Sequence, residues 1–202
     1  MYSFRNDYSE GAHPKVLQAL ADTNLRQTVG YGMDPCCQAA ADTIRRLCAA
    51  PDAAVHFLVG GTQVNLVTID AFLQSYEAVV AAQTGHVSTH ETGAIEATGH
   101  KVCTVESPDG KLTPALVESV LAGHNGTEHM VLPRMVYISD TTEIGTVYTR
   151  AELAALRQCC DVHGLFLYLD GARLGSALTS PDNDLTLPDL AALTHAFTIG
   201  GT

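Results

Sequence analysis

The sequence contains no tryptophan, few basic residues and no long hydrophobic run. Lys and Arg number 11 against 22 Asp and Glu, which gives a formal net charge of −11 at pH 7. A field of this sign repels polyanions and argues against nucleic acid as a partner, although backbone N–H groups can still bind a small phosphorylated ligand. Because no stretch of about 18 apolar residues is present, no membrane-spanning helix is expected. The first seven residues also lack the apolar segment of a signal peptide, so a cytoplasmic location is expected.

The six cysteines form no C-x-x-C motif, which is the commonest start of a zinc site. Four of them are adjacent pairs, Cys36-Cys37 and Cys159-Cys160, and sequence neighbours rarely suit disulfide geometry. We therefore expect reduced thiols, as is usual in a reducing compartment.

What the sequence does contain is a regular alternation of helical patterns and short apolar runs. This rhythm is typical of helices that cross between parallel strands, so it predicts an α/β fold with a mostly parallel sheet. No repeat, linker or low-complexity segment interrupts it, and residues 1–202 are expected to form one domain. Helices are predicted over residues 14–24, 35–50, 62–76, 113–121 and 149–163, and strands over residues 55–59, 78–82, 101–105, 135–139, 165–169 and 196–199.

Ligands of open α/β sheets bind beyond the carboxyl ends of the strands, so residues that follow a strand are the first candidates for a site. Gly60, Gly61 and Thr62 lie between a predicted strand and a predicted helix. Glycine lets the backbone approach an anion, and the N-terminus of a helix attracts phosphate. The alternative is a tight turn without a ligand.

A second candidate is Asp170, which follows the most apolar predicted strand. A carboxylate at a buried strand end is costly unless it has a partner. A protonated pyridine nitrogen would be one such partner, and a salt bridge to Arg173 would be another.

A third candidate is the segment that contains His86, His90 and Glu91. The two histidines are spaced to share a helix face, which permits metal binding, but H-x-x-x-H without a clear third ligand is a weak metal signal. An imidazole is also a flat ring that can lie over a heteroaromatic cofactor.

Several motifs along the chain together resemble the threonine aldolase and β-eliminating lyase family of pyridoxal-phosphate (PLP) enzymes. Residues 5–8 (R-N-D-Y) and 31–35 (Y-G-M-D-P) are similar to the family's R-S-D-T and Y-G-D-D-P. Residues 57–66 (F-L-V-G-G-T-Q-V-N-L) are similar to F-L-P-T-G-T-Q-A-N-L, and residues 170–173 match D-G-A-R. The resemblance covers essentially the whole chain and implies the large domain of a three-layer, fold type I PLP enzyme.

The resemblance also implies a role for each matching residue. Gly61 and Thr62 are expected to bind the cofactor phosphate, and His86 is expected to stack on the pyridine ring. Asp170 is expected to bind the pyridine nitrogen, and Arg173 to lie near the phenolic oxygen of the cofactor or near the substrate. These five residues form the predicted site, and no metal is expected in it.

Three positions depart from the family pattern. The serine of R-S-D-T is Asn6, and the histidine that precedes D-G-A-R by two positions is Tyr168. A second active-site histidine is missing, because residues 140–145 read D-T-T-E-I-G. These departures indicate a divergent subgroup whose substrate need not be threonine. For the general base, His86 is the first candidate, followed by His90 and Glu143.

The function implied by the resemblance is retro-aldol cleavage of a β-hydroxy amino acid, threonine-like, to glycine and an aldehyde. A β-eliminating lyase or an aminotransferase is the alternative within the PLP class, and a metalloprotein that uses His86 and His90 is the alternative outside it. A homodimer or homotetramer is expected. The lysine that holds the cofactor is expected directly after Thr202, and the small C-terminal domain of the family is expected to lie outside this chain.

Overall fold

A parallel five-stranded sheet forms the centre of the computed structural model, which describes residues 3, 5–124 and 126–201. The order β2-β1-β3-β4-β5 shows that the chain first adds a strand on one side of β1 and then continues on the other side. The direction in which strands are added therefore reverses between β1 and β3. At such a switch point, a ligand-binding crevice is expected beyond the carboxyl ends of the two strands. The strands are β1 (Glu77–Ala82), β2 (Lys101–Val105), β3 (Leu132–Ser139), β4 (Phe166–Asp170) and β5 (Ala196–Phe197).

Helices cover both faces of the sheet, and their ends follow local sequence signals. Thr149 caps α7 in a capping box with Glu152, and Gly164 ends that helix in the left-handed conformation. Prolines occupy the first turn of α1, α2, α6 and α9, where the missing N–H costs nothing. The helices of the described residues are α1 (Pro14–Thr23), α2 (Pro35–Leu47), α3 (Gly61–Phe72), α4 (His86–Thr89), α5 (Ala94–Ala97), α6 (Pro114–Ala122), α7 (Arg150–His163), α8 (Leu174–Leu178) and α9 (Leu187–Leu193).

The hydrophobic core has two parts, one on each face of the sheet. Successive strand residues point to opposite faces, so Val80 and Val136 pack with α6, α7 and α9, whereas Val79 and Met135 pack with α3 and α5. All six residues of β1 are buried, as expected of a central parallel strand. The predicted three-layer α/β architecture is thus confirmed.

Two strand predictions were wrong. Residues 55–59 form no strand, because no described strand lies beside them, and Phe57, Leu58 and Val59 are exposed. The predicted strand 196–199 has only two residues, since Thr198 turns towards the loop after β4 and accepts a hydrogen bond from Gly171 N–H. Thr202 lies outside the described residues.

The predicted shared helix face of the two histidines was also wrong. The helix that begins at His86 is a single turn, α4, and His90 lies beyond its end as the C-cap residue. The sequence pattern missed α4 itself, along with α5, α8 and α9, because helices of four to seven residues are too short to show a clear period.

The residues that precede α3 contribute little to the core. Helix α1 buries none of its residues, and Leu25, Tyr31 and Met33 are largely exposed. Among the described residues, no helix is long and apolar enough to cross a bilayer.

Candidate active site

The carboxylate of Asp170 lies at the carboxyl end of β4 and is held by several hydrogen-bond donors. Its side chain is buried, with 6% of the residue exposed. Tyr137 OH donates to Oδ2 at 2.6 Å, and Ala172 N–H donates to Oδ1 at 3.0 Å. Thr198 Oγ1 approaches Oδ1 at 3.5 Å, the long limit of a hydrogen bond. The Asn65 amide also donates to Oδ2, so three hydrogen bonds of 3.0 Å or less use three of the about four acceptor sites of a carboxylate, and only the long Thr198 contact uses the fourth.

Asn65 links this carboxylate to a second buried one. Its side-chain amide donates to Asp170 Oδ2 at 2.8 Å and to Glu91 Oε1 at 2.7 Å, and its carbonyl oxygen accepts from Tyr168 OH at 2.6 Å. The opposite orientation of the amide would point its oxygen at two carboxylates, so the hydrogen bonds define which atom is nitrogen. Asn65 is 1% exposed, and both amide protons are fully used.

His86 joins the same network through Glu91. Its Nδ1 lies 2.7 Å from Glu91 Oε1, and its side chain is one-third exposed whereas that of Glu91 is fully buried. The hydrogen bond to Glu91 raises the pKa of His86, while partial burial opposes the increase and the nearby charges of Glu143, Glu91 and Asp170 add to it. His86 is thus tied to Asp170 by a continuous chain of side chains.

The first N–H groups of α3 have no side-chain cap. Gly60 is the N-cap and offers no side-chain hydrogen bond to the first N–H groups, which are therefore open to a ligand. A Cβ atom on Gly60 or Gly61 would meet no atom within 4 Å, so there is open space in front of the backbone. Since a helix rises about 1.5 Å per residue, Asn65 lies roughly 6 Å along the axis from Gly61. Helix α3 therefore connects these N–H groups directly to Asp170.

Arg173 does not bind Asp170, which removes one interpretation of the D-G-A-R segment. Its guanidinium forms two hydrogen bonds to the carboxylate of Asp7, at 2.6 and 3.0 Å. Within the described part of the chain, no Lys, Arg or His nitrogen lies within 4 Å of the Asp170 carboxylate. The buried negative charge of Asp170 thus has hydrogen-bond donors but no fixed cation.

The two histidines and Glu91 do not form a metal-ligand set. The rings of His86 and His90 are 5.6 Å apart and tilted, and Nδ1 of His86 is occupied by Glu91. The donor atoms of three possible ligands come within 4.8 Å of one another elsewhere in the described structure, on α6 and α7, at Glu118, Cys159 and His163.

The loop after β3 takes the place where the family has a second histidine. Asp140 is buried and Glu143 is partly buried, and both follow the carboxyl end of β3. Ser139 and Glu143 line the same small cleft as Gly85, next to His86. The charge of Glu143 contributes to the raised pKa of His86.

Sequence patterns alone did not single out Asn65 or Tyr137. Asn65 lies on the buried face of α3 with Ile69, four residues further on. A polar residue at a core position of an amphipathic helix needs a partner, and this was the signal that could have identified it. Tyr137 reads as an ordinary apolar strand residue, because its hydroxyl finds Asp170 only through the pairing of β3 with β4.

The residues of this crevice fit a PLP molecule in their chemistry. The uncapped N-terminus of α3 suits a phosphate, and the acceptor site of Asp170 that only the long Thr198 contact uses suits a protonated ring nitrogen. The Oε2 atom of Glu91 is buried without a hydrogen-bond partner, which shows that the donors around this network are incomplete within the described chain. These observations define the class of protein: an α/β domain with a buried carboxylate at a strand end and an uncapped helix N-terminus connected to it through Asn65.

Comparison with known proteins identifies the family. The model of the β-eliminating lyase family matches residues 4–196, so the chain belongs to this family. A solved threonine aldolase from Leishmania major shares 58% identity with a TM-score of 0.97, over 98% of this chain and 58% of that one. Low specificity L-threonine aldolases from a Pseudomonas species and from Pseudomonas aeruginosa are 37% and 36% identical over 176 residues, 86% of this chain. The chain spans about half the length of these curated relatives.

Proposed function

We propose that this chain is the cofactor-binding part of a PLP-dependent lyase that cleaves a β-hydroxy amino acid to glycine and an aldehyde. The observation that carries the proposal is Asp170, a buried carboxylate at the carboxyl end of β4 that has three close donors and, among the described residues, no cation within 4 Å. A protonated pyridine nitrogen supplies the missing charge. The similarity to threonine aldolases over most of the chain favours this reaction over transamination.

The proposal gives the N-terminus of α3 the role of phosphate site. Gly61 and Thr62 provide free backbone N–H groups, and Thr62 adds a hydroxyl donor. Asp170, which the amide of Asn65 connects to α3, then holds the proton on the ring nitrogen. Bound PLP supplies an electron sink for the negative charge that develops at the substrate α-carbon.

The proton transfers fall to side chains at the mouth of the crevice. His86 uses Nδ1 for Glu91, so Nε2 is the nitrogen that can accept the proton of the substrate β-hydroxyl. As that proton leaves, the Cα–Cβ bond breaks, the aldehyde departs and the α-carbon takes up a proton to give glycine. General base catalysis of this kind typically contributes about 10² to 10⁴ in rate. Arg173, which is partly exposed beside Asp7, is proposed to lie near the substrate or the phenolic oxygen.

The experiment that tests the proposal is a product assay on the full-length protein with a panel of β-substituted amino acids. We expect glycine and an aldehyde from threonine-like substrates, a visible cofactor band, and unchanged activity after exhaustive chelation. Pyruvate and ammonia would instead show β-elimination, and a 2-oxo acid formed from the amino donor would show transamination. Loss of activity on chelation with recovery on zinc or iron would contradict the proposal.

We also propose that none of the three lysines of this chain holds the cofactor. Lys111 Nζ bonds Glu152 at 2.6 Å, and Lys15 lies on the exposed helix α1. Lys101 opens β2, at the amino end of the strand and so opposite to the crevice. The segment after β5 is the expected source, because Gly200 N–H bonds Gly171 O beside Asp170. Peptide mapping of the borohydride-reduced full-length protein should place the label directly after Thr202, and a label on Lys15, Lys101 or Lys111 would contradict this.

The apolar side chains exposed in residues 5–60 support the proposal of a homodimer or homotetramer. Leu25, Tyr31 and Val59 are each more than 90% exposed, which is costly unless another surface covers them. Light scattering of the full-length protein should give a mass of two or four chains, and a monomer would contradict this.

A further inference from the structure

The proposed reaction gives His86 a role but assigns none to Glu91, the buried residue that contacts it. Glu91 follows α4 and is 2% exposed, and its Oε1 lies 2.7 Å from both His86 Nδ1 and Asn65 Nδ2. Oε1 accepts from the Asn65 amide and keeps a second lone pair for the contact with His86 Nδ1. An ionised carboxylate only accepts hydrogen bonds. With Glu91 ionised, the proton of this contact therefore lies on Nδ1 of His86.

The proton on Nδ1 determines what His86 can do. In the neutral ring, Nε2 is then the unprotonated nitrogen and acts as a base, and in the charged ring Nε2 becomes a donor. Without Glu91, nothing in the described structure fixes this tautomer, since His86 has no other hydrogen-bond partner for Nδ1. The hydrogen bond also fixes the orientation of the ring, which is one-third exposed and otherwise free to rotate.

Asn65 connects this pair to Asp170. Because both amide protons of Asn65 are shared between Glu91 and Asp170, neither carboxylate can move without breaking a buried hydrogen bond. On the other side of the amide, Tyr168 OH donates a hydrogen bond to the side-chain carbonyl oxygen of Asn65. A neutral hydroxyl therefore lies behind the network.

We propose that Glu91 is a positioning residue for His86, and that Asn65 holds it in register with Asp170. Glu91 orients the His86 ring, keeps the proton on Nδ1 and thereby presents Nε2 as the base. The inference rests on the proposed function, because it assigns the substrate hydroxyl to Nε2. It concerns only residues of this chain, and the tautomer of His86 is measurable without cofactor or substrate.

The charges around His86 define what a titration should show. Glu91 is the closest, Glu143 faces it from the loop after β3, Asp170 lies behind Asn65, and the ring of His90 lies 5.6 Å away. In Glu91→Gln one negative charge is removed while the carbonyl oxygen of the amide still accepts from Nδ1. The pKa of His86 should therefore fall, and the pH at which Nε2 becomes available should fall with it.

The test is a nitrogen-15 NMR titration of histidine-labelled full-length protein, with His86 assigned from the spectrum of His86→Gln. In the wild-type protein we expect the Nδ1–H tautomer for His86 at high pH. Glu91→Gln should lower the pKa of His86 and reduce kcat/KM about tenfold to a hundredfold, with the acidic limb of the pH profile shifted to lower pH. Glu96→Gln, on the exposed side of α5, is the matched control and should change neither.

Two outcomes would overturn the inference. The first is an Nε2–H tautomer of His86 in the wild-type protein, a result that does not depend on any variant folding. The second is a folded Glu91→Gln protein in which His86 titrates as in the wild type. Either result is independent of the product assay, so a lyase with an unchanged His86 would refute the role of Glu91 alone, and the expected titration in a protein without lyase activity would refute the function alone.

Discussion

Two buried aspartates at the ends of neighbouring strands differ in how the protein supports their charge. Asp170 ends β4 and Asp140 follows β3, and the two are adjacent, since Asp140 N–H bonds the backbone oxygen of Asp170 at 3.0 Å. Asp170 accepts from Asn65, Tyr137 and the Ala172 N–H at 2.6 to 3.0 Å. Asp140, only 1% exposed, accepts a single long hydrogen bond of 3.4 Å from Tyr148 N–H.

As a consequence, burying the charged carboxylate is less well compensated at Asp140 than at Asp170. Burial raises the pKa of Asp140 to about 6, while the Tyr148 N–H and the charge of Lys111 act in the opposite direction. Around Asp170, by contrast, burial comes with a set of donors aimed at the carboxylate. The two carboxylates are therefore both buried but differ in the number of donors that stabilise them.

The strongest way to break this comparison is to replace Asp170 by asparagine. The variant should still bind the cofactor through the N-terminus of α3, but turnover should fall about 10² to 10³-fold, because the charge that stabilises the ring proton is lost. Cofactor binding is measured by absorbance and turnover by aldehyde release. Asp140→Asn is the matched control and should keep most of the activity. Near-normal turnover in Asp170→Asn would refute the assignment.

A second test is the stability of Asp140→Asn as a function of pH. Since the pKa of Asp140 rises from 3.8 to about 6 on folding, its contribution to stability is full below about pH 4 and is lost as pH rises through 6. Asparagine keeps the acceptor for Tyr148 and does not ionise. The variant should therefore gain stability over the wild type above pH 6, on the order of 1 to 3 kcal/mol.

Denaturant unfolding at pH 4 and pH 7.5 measures this difference. The gain should be absent or small at pH 4, where the wild-type carboxyl is already protonated in the folded state. A difference that is equal at the two pH values would show that Asp140 titrates normally in the folded protein.

The smallest expected effect concerns one donor to Asp170. Burial, followed by the charge of Asp170, raises the pKa of Tyr137, so the phenol stays protonated and donates. Tyr137→Phe removes this donor and should lower turnover about tenfold, or roughly 1.4 kcal/mol. Tyr148→Phe is the control, because the Tyr148 hydroxyl has no contact with Asp170. It accepts a hydrogen bond of 2.7 Å from Leu112 N–H. The control variant should lose stability but keep turnover, and equal turnover losses in the two variants would contradict a specific role for Tyr137.

The sequence predicted most of the sheet and the longer helices because their signals are local. The strand prediction 101–105 agrees with β2, and the capping residues Thr149 and Gly164 mark the ends of α7. The sequence also predicted correctly that Asp170 lies at the end of a strand. The interpretation of Asp170 as a salt-bridge partner of Arg173 could only be decided by the fold, which brings Asp7 to Arg173 from 166 residues away.

The failures have the same physical origin. Residues 55–59 have the composition of a strand, but a strand exists only when a neighbour satisfies its backbone, and composition does not tell whether one is present. In the same way, the rings of His86 and His90 were spaced for a shared helix face that a single-turn helix does not provide.

The sequence by itself determined the order of the five sheet strands and of the longer helices, the capping residues of α6 and α7, and the residues that follow β4. These depend on periodicity and on side chains reaching backbone a few residues away. The tertiary structure alone decided that Asn65 joins Glu91 to Asp170, since these partners are 26 and 105 residues from it along the chain. Asn65 lies on α3, and it reaches these side chains only because the fold packs α3 against the sheet. Local sequence preferences do not define that packing.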